Sequence, residues 1–581
     1  MKKFRNKGVV LFLSILMVFS VSSCDIFDLD VNTDPNNPSQ ASLNLLFSNA
    51  ILNASSTFAA DLNDSAMGFM SLTTSSDDHN MTYSTWNTQW NYLYENPLTD
   101  LDRIIVAAKE AGNVPKQLGA AQVMKCYYFT LMVDLWGDVP YSEAFQGDQG
   151  VKTPVFDKSK DIYANLLATL DEAIANLSAT SSAAIGGDLI YNGNVTRWIK
   201  AANSLKLKLL VQSRLATGAN DIGAKDQLVA LIAAHKAKPI FITSPADDFL
   251  FRFAKTQNPD NRHPAYQDGY AGGEAAYTYF GSKFMAEMLA NRDPRTPFYF
   301  KRQTDKVLNL EDPAQKQTAP CSQRDDCVYG YFPISNYVSN LVFQKPVGDL
   351  SADEKDYLAG FFGRDRADPS GVPNDNAIRT TVGAYPAGGL FDDEAEAGGN
   401  NQGSGDGIFP MITSWMVKFY LIEAQLTVTG ADAGQSNEDL LKSALTDQFA
   451  RVISLGSAAD PDASPELAKW GEIYDWPIEY TLPEDYIEDV VSDYTAFTGN
   501  KLQFVLKQAW FANYGNGFEI YTAFRRTGFP GDLQEPLQIP RQFALRIPYG
   551  QSEVNLNPNT PVLNYDAPEN ALFWDVLHYQ F

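Results

Sequence analysis

Gln117 to Tyr141 reads QLGAAQVMKCYYFTLMVDLWGDVPY, and this stretch decides the class of fold. Ala120, Met124, Tyr127, Tyr128, Leu131 and Val133 recur near helical spacing, which predicts a helix from Gln117 to about Leu135. Just upstream, Trp86, Trp90, Leu93, Leu101, Ile104 and Ile105 repeat that spacing from about Ser84 to Ala111. Gly112 and Pro115 are helix-stop signals between the two segments. Two long helices joined by so short a break make an antiparallel hairpin. Trp86 and Trp90 share one helical face and are expected in the core. Cys126 sits within the apolar pattern and is expected to be a buried free thiol.

Working outward, Lys158 to Leu177 and Thr196 to Leu215 form a second pair. Asn194 or Thr196 is placed to cap the later member through a side-chain oxygen. Helical spacing returns at 224–236, 278–291, 412–428, 437–454 and 501–513. Helix pairs of this length are the mark of tetratricopeptide-like repeats, although the repeat consensus is poorly matched. The pattern therefore describes a divergent helical-repeat body with a loop-rich second half. The stretch 295–407 is rich in Gly, Asp, Asn and Pro and is too long for an idle connection. Its Tyr and Phe content favours order.

The N-terminus carries a different signal. Lys2, Lys3, Arg5 and Lys7 precede an apolar run from Val9 to Val21, which ends at Ser22-Ser23-Cys24. Basic, apolar and small residues in that order make a secretory signal. The run is too short to span a bilayer, which needs about 20 apolar residues. A Cys directly after the small residues resembles a bacterial lipoprotein signal, with cleavage before Cys24 and lipidation of its thiol. Several acyl chains anchor a soluble body firmly, because each buried methylene contributes about 0.8 kcal/mol. Residues 25–42 are polar and Pro-containing and read as a tether.

The chain has 581 residues and a net charge of −25. Removing residues 1–23 takes away four basic and no acidic residues, which leaves −29. So acidic a body argues against nucleic acid, whose phosphates need a basic surface. It also argues against lying flat on anionic lipid. Cys321 and Cys327 flank a polar Ser-Gln-Arg-Asp-Asp stretch. In an oxidising compartment they are expected to close a small disulfide loop, with a two-Cys metal site as the alternative.

Several segments, in order along the chain, resemble the SusD-like (RagB-like) family, in the branch typified by an Asp-Pro-Asn tether. They are Leu29 to Pro38 around Asp34-Pro35-Asn36, and Leu131 to Ala144 around Asp134-Leu135-Trp136-Gly137-Asp138. Gly187-Asp188-Leu189-Ile190-Tyr191 follows, with Trp198 and Asn203 to Lys208. The last are Arg525-Arg526-Thr527-Gly528-Phe529-Pro530 and Pro548-Tyr549 through Glu553 to Asn555.

The resemblance implies a mostly α fold. About four tetratricopeptide-like helix pairs form a right-handed superhelical scaffold beside a loop-rich irregular subdomain. The pairs would lie at about 84–136, 157–217, 408–455 and 500–528. The loop-rich region would cover about 240–407, within a body of residues 43–581 that follows the signal (1–23) and the lipidated tether (24–42). It also implies a cell-surface lipoprotein of the outer membrane. Such a protein binds oligosaccharide or peptide, acts as lid to a SusC-like TonB-dependent β-barrel transporter, and is not an enzyme. The stretch around Cys321 to Cys327 and the Gly-rich segment 397–407 depart from the family pattern.

Within these motifs, Asp134 to Tyr141 reads as a structural corner, and Arg525-Arg526 reads as a clamp on carboxylates inside the fold. Sugar recognition needs flat apolar faces with flanking polar groups. Two stretches fit. Asp77 to Tyr83 offers Asp78, His79, Asn80 and Tyr83. Asn261 to Tyr270 offers Arg262, His263, Tyr266 and Tyr270, with Tyr277 and Tyr279 close behind. The bland alternative is that these aromatics pack the body. Catalytic signatures are missing: there are four His and no His-Glu-x-x-His run or Gly-x-Ser-x-Gly elbow. No cofactor or metal is expected beyond a structural calcium in an Asp-rich loop, for which no twelve-residue calcium-loop pattern is present. A lipid-anchored glycan hydrolase and a lid that binds no free ligand are the competing readings.

Overall fold

The computed structural model describes residues 42–74, 84–271, 278–303, 309, 311–324, 336–371, 379–392, 402–460, 483–537, 543–563 and 571–577. Within them the chain is mainly helical. The N-terminal helices are α1 (Leu43–Thr57), α2 (Asn63–Phe69), α3 (Thr99–Ala111) and α4 (Pro115–Trp136). Then come α5 (Ser159–Ser178), α6 (Val195–Ser213) and α7 (Ala224–Ala237). The C-terminal set is α8 (Ser414–Thr427), α9 (Asn437–Ala459), α10 (Pro483–Ala496), α11 (Lys501–Ala512) and α12 (Gly517–Thr527).

Neighbours in sequence pack as neighbours in space: α3 on α4, α4 on α5, α5 on α6, and α8 on α9. Helix α6 also meets α8, and α12 returns to α2. The result is the helical, tetratricopeptide-like scaffold that the resemblance implies.

The stretch Gln117–Trp136 explains why the fold is organised this way. All but one of its residues, Lys125, are buried, so α4 runs through the centre of the body. Pro115 occupies the first turn of α4, where its missing N–H costs nothing. Gly119 lets α4 and α5 touch. A Cβ there would lie 2.7 Å from Leu177 Cγ and 2.8 Å from the Ala173 carbonyl oxygen. Asn194 caps α6 by accepting the Arg197 N–H at 3.1 Å. Trp86 and Trp90 are buried, and Trp90 packs edge-on against Trp136 and Tyr549. Cys126 is a buried free thiol whose pKa burial pushes up.

The corner motifs singled out from sequence are structural. Trp136 donates its indole N–H to the Pro548 carbonyl at 2.9 Å. Gly137 turns the chain at φ 81°, ψ −118°. Asp138 accepts the Ser159 N–H at 2.8 Å, at the start of α5. Asp188 gathers the N–H groups of Ile190, Tyr191 and Gly193 and the Trp198 indole, at 2.7 to 3.0 Å. Arg525 donates to the Leu545 and Asp134 carbonyls at 2.8 and 2.6 Å, with its plane over the Tyr521 ring.

Sheet is confined to four small antiparallel pairs among the described residues. In chain order the strands are β1 (Thr73–Thr74), β2 (Val139–Pro140), β3 (Phe156–Asp157) and β4 (Phe249–Arg252). They continue with β5 (Tyr279–Phe280), β6 (Phe300–Lys301), β7 (Thr381–Val382) and β8 (Ile408–Ile412). The pairs are β1 with β5, β2 with β3, β4 with β8, and β6 with β7. The β1–β5 pair ties the irregular middle of the chain to the N-terminal region, and the β4–β8 pair joins the two ends of that middle. Cys321 is disulfide-bonded, and Cys327 lies outside the described residues.

Candidate functional site

A cavity of about 250 Å3 opens where the N-terminal helices meet the irregular middle region. Its position follows from two interruptions of helical geometry. Between α1 and α2, Phe58–Leu62 is wound as a π-helix, and Ala60 leaves the helical region (φ −87°, ψ −131°). Such wide turns recur at functional sites because they re-aim side chains that an α-helix would hold in line. Here Asp61, Asn63 and Asp64 come to the cavity wall. A second π-helical turn, Gln267–Ala271, brings Asp268 and Gly269 to the opposite side. Strand β5, paired Thr73↔Phe280 and Thr74↔Tyr279, supplies two aromatic residues, and the segment leading into β7 supplies Arg379. Tyr514 and Pro386 complete it.

The wall combines apolar surface with polar and charged groups, a composition suited to a small ligand. Asp61 accepts the Gln89 amide at 2.6 Å, and Asp64 accepts the Thr278 hydroxyl at 2.8 Å. The Asp268 carboxyl is held above the usual carboxylate range by burial. Arg379 draws it down and Asp61 pushes it up. Among the described residues, no group of three or more His, Cys, Asp or Glu is placed to hold a metal ion.

The residues named from sequence fall into three sets. Cys24, Asp78, His79, Asn80, Tyr83 and Tyr277 lie outside the described residues. Arg262, Tyr266 and Tyr270 are buried among protein groups. Arg262 closes a two-bond ion pair with Asp260, at 2.9 and 2.6 Å, and lies over the Tyr266 ring. Tyr266 and Tyr270 stack on each other at 4.9 Å. Their hydroxyls donate to the Gln402 and Val382 carbonyls, each at 2.7 Å. The polar edges and ring faces expected to meet a sugar are thus taken by the protein itself, because the loop must be pinned to β7 and the Gly-rich segment.

His263 differs, since it lines the cavity. Its Nδ1 accepts the Ala265 N–H at 3.1 Å, and burial takes its pKa down to about 3, so the ring is neutral. Asp268 and Tyr279 fall in or just behind the stretch singled out from sequence, whereas Asp61, Asp64, Arg379 and Tyr514 were not found from it. These four come from three separate regions of the chain, and none sits in a motif.

Residues 35–314 match the family model described as "Starch-binding associating with outer membrane". No curated protein matches the sequence. The fold is similar to that of a SusD homolog from Bacteroides fragilis, with 18% identity, TM-score 0.62, and 92% and 99% of the two chains covered. It is also similar to a chitin-binding protein, with 19% identity, TM-score 0.61, and coverage of 92% and 100%. A SusD/RagB family protein from Bacteroides thetaiotaomicron compares at 20% identity, TM-score 0.60, and coverage of 90% and 95%.

Proposed function

Because this chain belongs to the SusD-like family, we propose that it captures oligosaccharide at the outer-membrane surface and delivers it to a SusC-like TonB-dependent barrel, whose lid it forms. The observation that carries this reading is the match of residues 35–314 to a family described as starch-binding and outer-membrane-associated. A lipid on Cys24 would hold the body at the surface. No helix among the described residues is long and apolar enough to cross a membrane, in keeping with an anchor of that kind. The chain acts by binding and not by catalysis. Peptide is the second ligand class that such a site could take.

The ligand site we assign is the cavity walled by His263, Asp268, Tyr279 and Tyr514. Aromatic ring faces offer apolar surface to a sugar ring's C–H face, while carboxylates accept hydrogen bonds from its hydroxyls. A glycan and peptide screen on protein lacking residues 1–24, followed by calorimetry on each hit, tests the reading. Saturable binding weakened by Tyr279→Ala supports capture at this cavity. Absence of binding to every ligand class, together with recovery of a barrel partner in pull-downs from membranes, would leave a lid without capture. Labelling of intact cells with an impermeant reagent tests the orientation, and a periplasm-facing body would sink the proposal.

A further inference from the structure

The segment 363–368 lies behind the cavity wall in the manner of a third strand. Arg364 donates its N–H to the Phe280 carbonyl and accepts the Ser282 N–H, both at 2.9 Å, and it bridges Gly281 in parallel. The Ala367 N–H reaches Thr74 Oγ1 at 3.0 Å. The segment therefore backs β1 and β5, whose Thr73, Tyr279 and Phe280 line the cavity. Ala367 is held at φ 47°, a left-handed conformation that strains a residue carrying a Cβ.

At the centre of this segment, Asp365 is fully buried, and neither carboxyl oxygen has a hydrogen-bond partner among the described residues. The Gln534 side chain acts on it, yet Gln534 Nε2 also lacks a partner. Of the ionisable groups on the surrounding elements, Asp368 is the one that acts on it, and it repels. Arg364 donates to the Asp368 and Ser370 carbonyls and lies over the Tyr279 ring. Arg366 donates to the Gln534 and Phe69 carbonyls. Glu535 is exposed, and Cys321 is disulfide-bonded and does not titrate. A carboxyl buried without a counter-charge or a donor is tolerated in its neutral form and costly in its charged one.

We infer that Asp365 is a proton-operated latch on the cavity wall. The protonated side chain keeps 363–368 docked on β5. Loss of the proton favours release of the segment, which loosens Thr73, Tyr279 and Phe280. The sign follows from where the proton is held. Burial pushes the docked carboxyl up to about 8. A released carboxyl in water ionises near the ordinary value of about 3.9. Between these values the docked form holds one more proton, so release becomes about tenfold easier with each pH unit. The gain levels off above about 8. The latch does not depend on which ligand the cavity takes.

Hydrogen–deuterium exchange read by mass spectrometry tests this without a ligand, on the chain purified from membranes in nonionic detergent. Rates are followed from pH 5 to pH 9 and corrected for intrinsic exchange at each pH. In peptides spanning 279–282 and 362–368, protection is expected to fall by up to about tenfold per pH unit as far as about pH 8, then to level off. Peptides from α4 are expected to stay protected throughout. Asp365→Asn, neutral at every pH and of the same shape, should abolish the fall. A flat profile in the parent chain overturns the latch, and that outcome needs no variant to fold. An equal fall in α4 also overturns it, because the whole chain would then be opening. So does an undiminished fall in Asp365→Asn.

Discussion

Arg526, in the last turn of α12, grips Glu423 of α8 through two parallel hydrogen bonds, Nε to Oε1 and Nη2 to Oε2, each 2.7 Å long. Both side chains are almost fully buried. Arg214 from the end of α6 approaches the same carboxylate at 2.8 Å, and Gln212 accepts from Arg526 at 2.7 Å. Burial alone would raise the Glu423 pKa, but the two guanidinium groups outweigh it and hold the carboxyl below its usual range. Three helices distant in sequence are thus locked at one carboxylate.

Removing one member of this network strands buried charge. Arg526→Met is expected to destabilise the chain by about 3 to 5 kcal/mol. Arg526→Lys, which keeps the charge but loses the fork, should fall between that variant and the parent. Urea denaturation measures both. A loss under about 1 kcal/mol for Arg526→Met would show that the network is dispensable.

Gly137→Ala tests the corner after α4. The backbone there is in the left-handed half of φ space, and a Cβ would land on the Arg546 guanidinium. Strain and clash together are expected to cost about 2 to 4 kcal/mol. Thermal unfolding reads the loss, and an unchanged midpoint would contradict the clash.

Asp365 is fully buried, makes no ion pair among the described residues, and has its pKa raised to about 8. Burial is the main cause. Asp368 adds to it, and the Gln534 side chain opposes it. The unfolded chain releases this proton near the ordinary Asp value of about 3.9. Between these values the folded state holds more protons, so its stability falls as pH rises and levels off above about 8. Asp365→Asn should flatten that slope and be the more stable form at pH 9, by at least about 1.4 kcal/mol. Parallel urea titrations at pH 5, 7 and 9 check the difference, and identical slopes for the two proteins would refute it.

Tyr266 illustrates a residue whose character suggests recognition but whose place is structural. Tyr266→Phe removes the bond to Gln402 and keeps the stack on Tyr270. The expected outcome is a stability loss of about 1 kcal/mol with ligand affinity unchanged. An affinity loss without a stability loss would return Tyr266 to the binding surface.

The long helices were legible because burial imposes their period directly on the sequence. The segment expected at Gln117 to Leu135 is the helix Pro115–Trp136, and that expected at Lys158 to Leu177 is Ser159–Ser178. The earlier segment, Ser84 to Ala111, is less regular than its spacing suggested. Asn87–Leu93 and Thr99–Ala111 are separated by a π-helical stretch containing Pro97. Helices Leu43–Thr57 and Pro483–Ala496 were not separately foreseen from the spacing.

The sequence by itself determined the helical class, the family motifs, the acidic surface charge and the buried Cys126. Each of these is written locally, in period or composition. Only the tertiary structure decided where a ligand could enter. The cavity depends on two π-helical turns and on strand pairs joining residues about 200 apart, such as Thr73 and Phe280. It also decided that Tyr266 and Tyr270 make internal hydrogen bonds while Tyr514 lines the cavity. Aromatic and acidic residues look alike in sequence whether they pin a loop or face a cavity. The difference lies in which partners the folded chain brings within reach.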